Sequence, residues 1–123
     1  MNTLATRFYL AAGIFALCGM VWGIQMSATG DHSLSPAHGH LNLIGFVAMA
    51  VFGTYYALVP SAAASKLGSA HFGLAIVSVV VLIPGIVRAI SEQGEALAKI
   101  GSILAVLSML LFLVVMIRHR KPV

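Results

Sequence analysis

The chain has 123 residues, of which 60% are hydrophobic and only 8% are charged. A soluble domain carries about 25% charged residues, so this composition excludes an ordinary soluble protein and predicts a polytopic membrane protein. The formal net charge of +4 is expected to reflect orientation in a bilayer, and no nucleic-acid partner is expected, because most of the chain should lie in lipid.

Four apolar segments are predicted to cross the membrane as α-helices. They lie near residues 8–28, 38–60, 70–90 and 96–117 and together form one membrane domain, residues 1–123. Each approaches the roughly 20 residues that a helix needs to cross about 30 Å of hydrocarbon. The connecting segments are short and rich in turn-forming and polar residues, so neighbouring helices should run antiparallel. The predicted fold class is an all-α bundle of four transmembrane helices.

The basic residues predict which end of the bundle faces the cytoplasm, because Lys and Arg are enriched on that side. One end is expected to carry Arg7, Lys66, Arg118, Arg120 and Lys121. The other end is expected to carry Arg88, Lys99 and all three acidic residues, Asp31, Glu92 and Glu95. Both termini are therefore predicted to be cytoplasmic. The histidines at positions 32, 38 and 40 should then lie near the outer, periplasmic surface.

The second predicted span opens with the sequence A-H-G-H-L-N-L, residues 37–43. At 100° per residue, His38 and His40 lie about 200° apart, on nearly opposite sides of the helix. The His38 face continues through Asn42, Gly45, Met49, Gly53 and Tyr56. A histidine at the membrane boundary can simply bond water or a carbonyl group. It can also donate a lone pair to heme iron while its second nitrogen holds a hydrogen bond, and the paired motif favours this role.

Glycine positions indicate where the predicted helices come close together. Gly19-x-x-x-Gly23 in the first span predicts a small-residue helix contact, either within the chain or between chains. Gly45 and Gly53 leave small surfaces on the His38 face of the second span. A flat ligand or another backbone can approach the helix closely there.

Residues 37–60, A-H-G-H-L-N-L-I-G-F-V-A-M-A-V-F-G-T-Y-Y-A-L-V-P, resemble the tenth transmembrane helix of the heme-copper oxidase catalytic subunit. The resemblance is strongest to the nitric oxide reductase branch of that superfamily. His71-Phe72-Gly73-Leu74 is similar to the start of the following helix in the family. The resemblance implies that His38 ligates a high-spin heme and His40 a low-spin heme, on opposite sides of one helix.

The family's catalytic subunit is built from three pseudo-symmetric arcs of helices, and this chain has helices enough for one arc. The resemblance therefore implies a homo-oligomer, with a threefold-symmetric trimer favoured. Each interface would hold one heme b between His38 of one copy and His40 of the next. The other arrangement is a pair of His40 residues acting across a different symmetry.

The sequence thus predicts a heme b protein of the bacterial inner membrane with a redox or electron-transfer role. His38 and His40 are the predicted ligands, and Asn42 and Gly45 are predicted beside the cofactor. Arg88 either reaches lipid headgroups or pairs with the heme propionates. If the chain is an enzyme, it is an oxidoreductase. Beside the lipid bilayer, the expected partner is a quinone or a respiratory electron-transfer protein.

Two other functions stay open at this stage. A copper or zinc site could use His32, His38 and His40 contributed by several chains, because imidazole binds either metal. A cofactor-free assembly subunit of a respiratory complex could keep the histidine pair without iron. The role of His71 is also open, since it is either an interfacial packing residue or a ligand or quinone contact on the cytoplasmic side.

Overall fold

The computed structural model describes residues 1–120, which form helices and turns and contain no strand. Four helices are long and apolar enough to cross a membrane: the first, Thr3–Thr29; the second, Ser35–Leu58; the third, Lys66–Ile90; and the fourth, Ala96–Arg118. A short helix, Pro60–Ala63, joins the second to the third. The prediction of an all-α, multi-pass membrane protein is confirmed at this level. Lys121, one of the basic residues used to predict orientation, lies outside the described residues.

The first helix begins five residues before the predicted start at residue 8, because Asn2 caps it. The Asn2 Oδ1 accepts a hydrogen bond from the backbone N–H of Ala5 at 2.9 Å, which satisfies an amide that the helix itself leaves unpaired. The Asn2 Nδ2 donates to the carbonyl of Tyr56 at 2.8 Å. The helix stops at Gly30, whose φ of 69° is left-handed, a conformation that glycine adopts without strain.

The second helix changes its hydrogen-bond pattern immediately after His40. Residues Leu41–Val47 form a π-helical segment, in which each N–H bonds to the carbonyl five residues earlier and the turn is wider than in an α-helix. The His38 face of the second helix nevertheless persists through this segment. Its members are all buried or half-buried: Asn42, Gly45, Met49, Gly53 and Tyr56. The widened turn was not predicted, and the His38 face is the one that meets the first helix, at Gly45 and Gly53.

The third and fourth helices approach each other closely at two glycines. A Cβ atom on Gly85 would lie 2.5 Å from the backbone nitrogen of Ala98. A Cβ atom on Gly101 would lie 2.5 Å from the Cα of Leu82. Both approaches are to main-chain atoms, so only glycine allows the two helix backbones to come this near.

Contacts at the helix ends agree with the predicted antiparallel order. Asn2 bonds to the end of the second helix, and Ser61 Oγ lies 3.3 Å from Nδ1 of His119, just past the fourth helix. We call this end, which also carries Arg7, Lys66 and Arg118, the basic end. The opposite end, with the segments 30–34 and 91–95, is called the histidine end. Outward surfaces between the ends are apolar, which is consistent with lipid contact.

Candidate functional site

His38 points from the second helix toward the first helix of the same chain and is half-buried. Its Nε2 lies 2.9 Å from the carbonyl oxygen of Gly19. A carbonyl only accepts hydrogen bonds, so Nε2 carries the proton and donates it. Nδ2 of Asn42 lies 3.3 Å from the same nitrogen; both groups are donors in this tautomer, so we take the shorter contact to the carbonyl as the hydrogen bond. The Nε2 of His38 is therefore engaged within its own chain.

Gly19 and Gly23 make room for these polar side chains on the first helix. A Cβ atom on Gly19 would collide with the side-chain oxygen of Asn42. A Cβ atom on Gly23 would lie 3.3 Å from Nε2 of His38, closer than ordinary contact allows. The predicted small-residue helix contact is confirmed, and it lies within the chain. The small residues admit an imidazole and an amide into the space between the two helices.

His40 has the opposite environment. Its side chain is exposed, and its Nδ1 lies 2.6 Å from the carbonyl oxygen of Pro36, one turn earlier in the same helix. Nδ1 must be the donor to that carbonyl, so the neutral ring keeps its lone pair on Nε2, which is directed away from the backbone. Metal-ligating histidines commonly show this arrangement. The prediction that the two imidazoles lie on different sides of one helix is confirmed.

The surface beside His40 is open and apolar. A Cβ atom on Gly39, the residue before His40, would meet no other atom within 4 Å, so the helix surface at Gly39 is open. One and two turns further into the membrane, Leu43 and Val47 are 60% and 45% exposed. A flat apolar group held by His40 would therefore lie against an apolar wall.

Gly45 and Arg88, two further predicted cofactor-binding residues, lie in different surroundings. Gly45 is buried, and a Cβ atom there would lie 3.0 Å from Cβ of Phe15, so the first helix covers the surface that was predicted for a flat ligand or another helix. Arg88 is exposed near the histidine end, and its Nη2 donates to the carbonyl of Gln93 at 3.2 Å. Only Arg88 of this pair is accessible from outside the chain.

Within one chain, residues 1–120 contain no group of three or more His, Cys, Asp or Glu side chains placed to hold a metal ion. His32 is exposed in the segment before the second helix, next to Asp31. The Asp31 Oδ1 accepts a hydrogen bond from the backbone N–H of Ser33 at 3.0 Å, and this bond lowers the pKa of the carboxyl group. A copper or zinc site built on His32 would therefore have to draw its ligands from several chains.

His71 lies where the four helices meet, and its side chain is 0% exposed. Its Nδ1 is 2.9 Å from the hydroxyl of Tyr56. The imidazole stacks on Phe112, with ring centroids 5.1 Å apart and planes at 22°, and it also contacts the rings of Phe8 and Phe52. Nε2 of His71 is buried and has no hydrogen-bond partner among the described residues. His71 therefore packs in the core, where an outside ligand reaches it only if the rings separate.

Sequence reasoning did not find this aromatic cluster, although a signal was present. His71, Ala75 and Ser78 recur at helical spacing on the third helix, and Ser108 and Phe112 do so on the fourth. All five are buried. A polar stripe of this kind on a membrane helix is expected to face other helices, because an unpaired polar group is costly in lipid.

Comparisons with known proteins provide no further information about this site, since no family model, no curated protein and no solved structure matches the chain. The likeness of residues 37–60 to the heme-copper oxidase superfamily therefore remains an interpretation of the residues themselves.

Proposed function

We propose that this chain is a membrane heme b protein that carries electrons, with the heme held between copies of the chain by His40. The observation that carries this proposal is the hydrogen bond from His40 Nδ1 to the carbonyl of Pro36 at 2.6 Å. It orients the imidazole and leaves the Nε2 lone pair free on the outer side. Since His40 is exposed, another copy of the chain would supply the second residue that holds the heme.

The flank around His40 suits heme in shape and polarity. Gly39 leaves open space next to the ligand, and the exposed side chains of Leu43 and Val47 would cover one face of an apolar macrocycle. When bound, heme supplies one-electron redox chemistry. The residues of the chain would hold the iron, exclude water and set the orientation of the ring.

Two ligand arrangements are possible between copies. In the first, His40 of two copies faces one iron across a twofold axis. In the second, His38 of one copy and His40 of the next share the iron in a trimer. The contact between His38 Nε2 and the carbonyl of Gly19 at 2.9 Å favours the first arrangement, because His38 would have to leave that carbonyl before its Nε2 could bind iron.

The charge distribution supports an orientation in the membrane. Arg7, Lys66 and Arg118 lie at the basic end, which we assign to the cytoplasm of a bacterial cell. The histidine end would then face the periplasm, where Arg88 is an exposed guanidinium available to heme propionates, since guanidinium groups bind carboxylates well. A membrane quinone or a respiratory protein would exchange electrons with the heme.

Absorption spectroscopy of the purified, untagged protein, with a pyridine hemochrome assay, tests the proposal. We expect a reducible spectrum with Soret and α bands, and His40→Ala should abolish it. His38→Ala should retain the spectrum if two His40 residues share the iron, and lose it in the trimer arrangement. His32→Ala is the matched control, because it removes an exposed histidine at the same end, and it should leave the spectrum unchanged.

Well-folded protein that takes up no heme would refute the heme assignment. The copper and zinc content of the same sample then tests the alternative metal site directly. If neither heme nor metal is present, and both histidine variants assemble normally with a respiratory partner, the cofactor-free assembly function replaces the redox one.

A further inference from the structure

A second candidate site lies at the basic end, at the opposite end of the bundle from His40. A cleft of about 590 Å³ opens between the end of the second helix and the end of the fourth. Its apolar part is formed by Leu58, Val59 and Met116, and its polar part by Ser61, His119 and Arg120. The lining of the cleft therefore contains both apolar side chains and polar, basic ones.

The backbone explains why the cleft forms here. The second helix ends at Leu58, and Val59 takes a non-helical conformation with φ −126° and ψ 77°. Pro60 then begins the short helix that leads to the third. Because the second helix stops at this level, Leu58 is left 77% exposed and the space beside the fourth helix is not filled by a continuing helix. The contact between Ser61 Oγ and His119 Nδ1 at 3.3 Å bridges the two sides.

The order of the lining residues follows the membrane boundary. Leu58 and Met116 belong to the last turns of membrane-spanning helices. His119 and Arg120 follow the last residue of the fourth helix, so they lie where hydrocarbon gives way to headgroups. A ligand that fills the cleft would need an apolar tail on the membrane side and a polar head on the water side.

The positive charge of the basic end indicates that the polar head of a ligand in the cleft should be negatively charged. Arg7, Lys66 and Arg118 are all exposed at the basic end together with Arg120. The three acidic residues of the sequence are Asp31, Glu92 and Glu95, and all three lie in the connecting segments at the histidine end. No Asp or Glu side chain is therefore near Arg120 to neutralise it, and an anion would relieve the repulsion among the cations.

We propose that this cleft binds one anionic phospholipid. Arg120 would bind the phosphate, because a guanidinium group matches phosphate oxygens with two parallel hydrogen bonds. His119 would donate to the same phosphate through Nε2, with its Nδ1 accepting a hydrogen bond from the hydroxyl of Ser61. The upper part of an acyl chain would lie against Leu58 and Met116.

Native mass spectrometry of the full-length protein in neutral detergent tests this site. The protein is titrated with phosphatidylglycerol and, separately, with phosphatidylcholine of the same acyl chains. We expect one phosphatidylglycerol per chain, bound more tightly than phosphatidylcholine. Arg120→Gln should weaken binding by at least about tenfold, because it removes the charged, bidentate contact to the phosphate and each 1.4 kcal/mol lost is about a factor of ten.

Arg118→Gln is the matched control. Arg118 lies two residues before Arg120 and carries the same charge, but its side chain is exposed and does not line the cleft. This variant should bind phosphatidylglycerol as the unaltered protein does. Equal weakening by the two substitutions would mean that only the general charge of the basic end matters, and would overturn the proposal. Displacement of the lipid by inorganic phosphate would assign the site to a free anion and would overturn it as well.

Discussion

Replacing Gly85 with alanine tests the close approach of the third and fourth helices. The added Cβ atom would lie 2.5 Å from the backbone nitrogen of Ala98 and 2.6 Å from the carbonyl carbon of Leu97. Ordinary van der Waals contact begins at 3.4 Å, so the helices would have to separate locally by about 0.9 Å, the difference between 3.4 and 2.5 Å. Neither contacted atom belongs to a side chain that could rotate away.

Two opposing effects set the magnitude of the Gly85→Ala change. Alanine favours a helix over glycine by about 1 kcal/mol, whereas overpacking costs about 1–3 kcal/mol. Because the contacts are to backbone, the cost should lie at the upper end of that range. The free energy of unfolding should therefore fall by about 1–2 kcal/mol.

Thermal unfolding in detergent, followed by circular dichroism, measures this effect. Gly73→Ala is the matched control in the same helix, because a Cβ atom on Gly73 would meet nothing within 4 Å. That variant should be unchanged or stabilised by up to about 1 kcal/mol. If Gly85→Ala and Gly73→Ala unfold at the same temperature, the close helix contact is not present and the reasoning fails.

The buried aromatic cluster leads to two further predictions. Tyr56→Phe should lower the free energy of unfolding by about 1–3 kcal/mol, because Nδ1 of His71 would then be buried without a partner. A denaturant titration measures this change, with Tyr55→Phe as the neighbouring control. Equal loss of stability in the two variants would contradict the prediction. Phe112→Ala should cost about 3–5 kcal/mol, since that ring is 6% exposed and stacks on His71. Phe46→Ala, at a ring 43% exposed, should cost much less, and equal melting temperatures for the two variants would show that the cluster does not stabilise the fold.

Several features could be predicted from sequence alone because they depend on local patterns. Four apolar runs of sufficient length predict four membrane helices, and these helices are present. Helical periodicity placed His38 and His40 on different sides of the second helix, which also agrees with the structure. The start of the first helix was missed because its cap, Asn2, is held by Tyr56, 54 residues away.

Other features depend on which helix faces meet, and hydropathy does not encode that. The Nε2 of His38 bonds to the carbonyl of Gly19 on another helix. This bond makes His38 less available than His40 as an iron ligand. His71, whose role was left open, lies in a core assembled from all four helices.

Length, apolarity and helical period thus determined the number of spans and the sides on which the paired histidines lie, because each is a property of a single segment. The hydrogen-bond partner of each imidazole, the packing at Gly85 and Gly101 and the cleft beside Arg120 were decided only by the tertiary structure. Each of these requires atoms far apart in the chain to meet, and a helix presents the same pattern of side chains whichever neighbour it packs against.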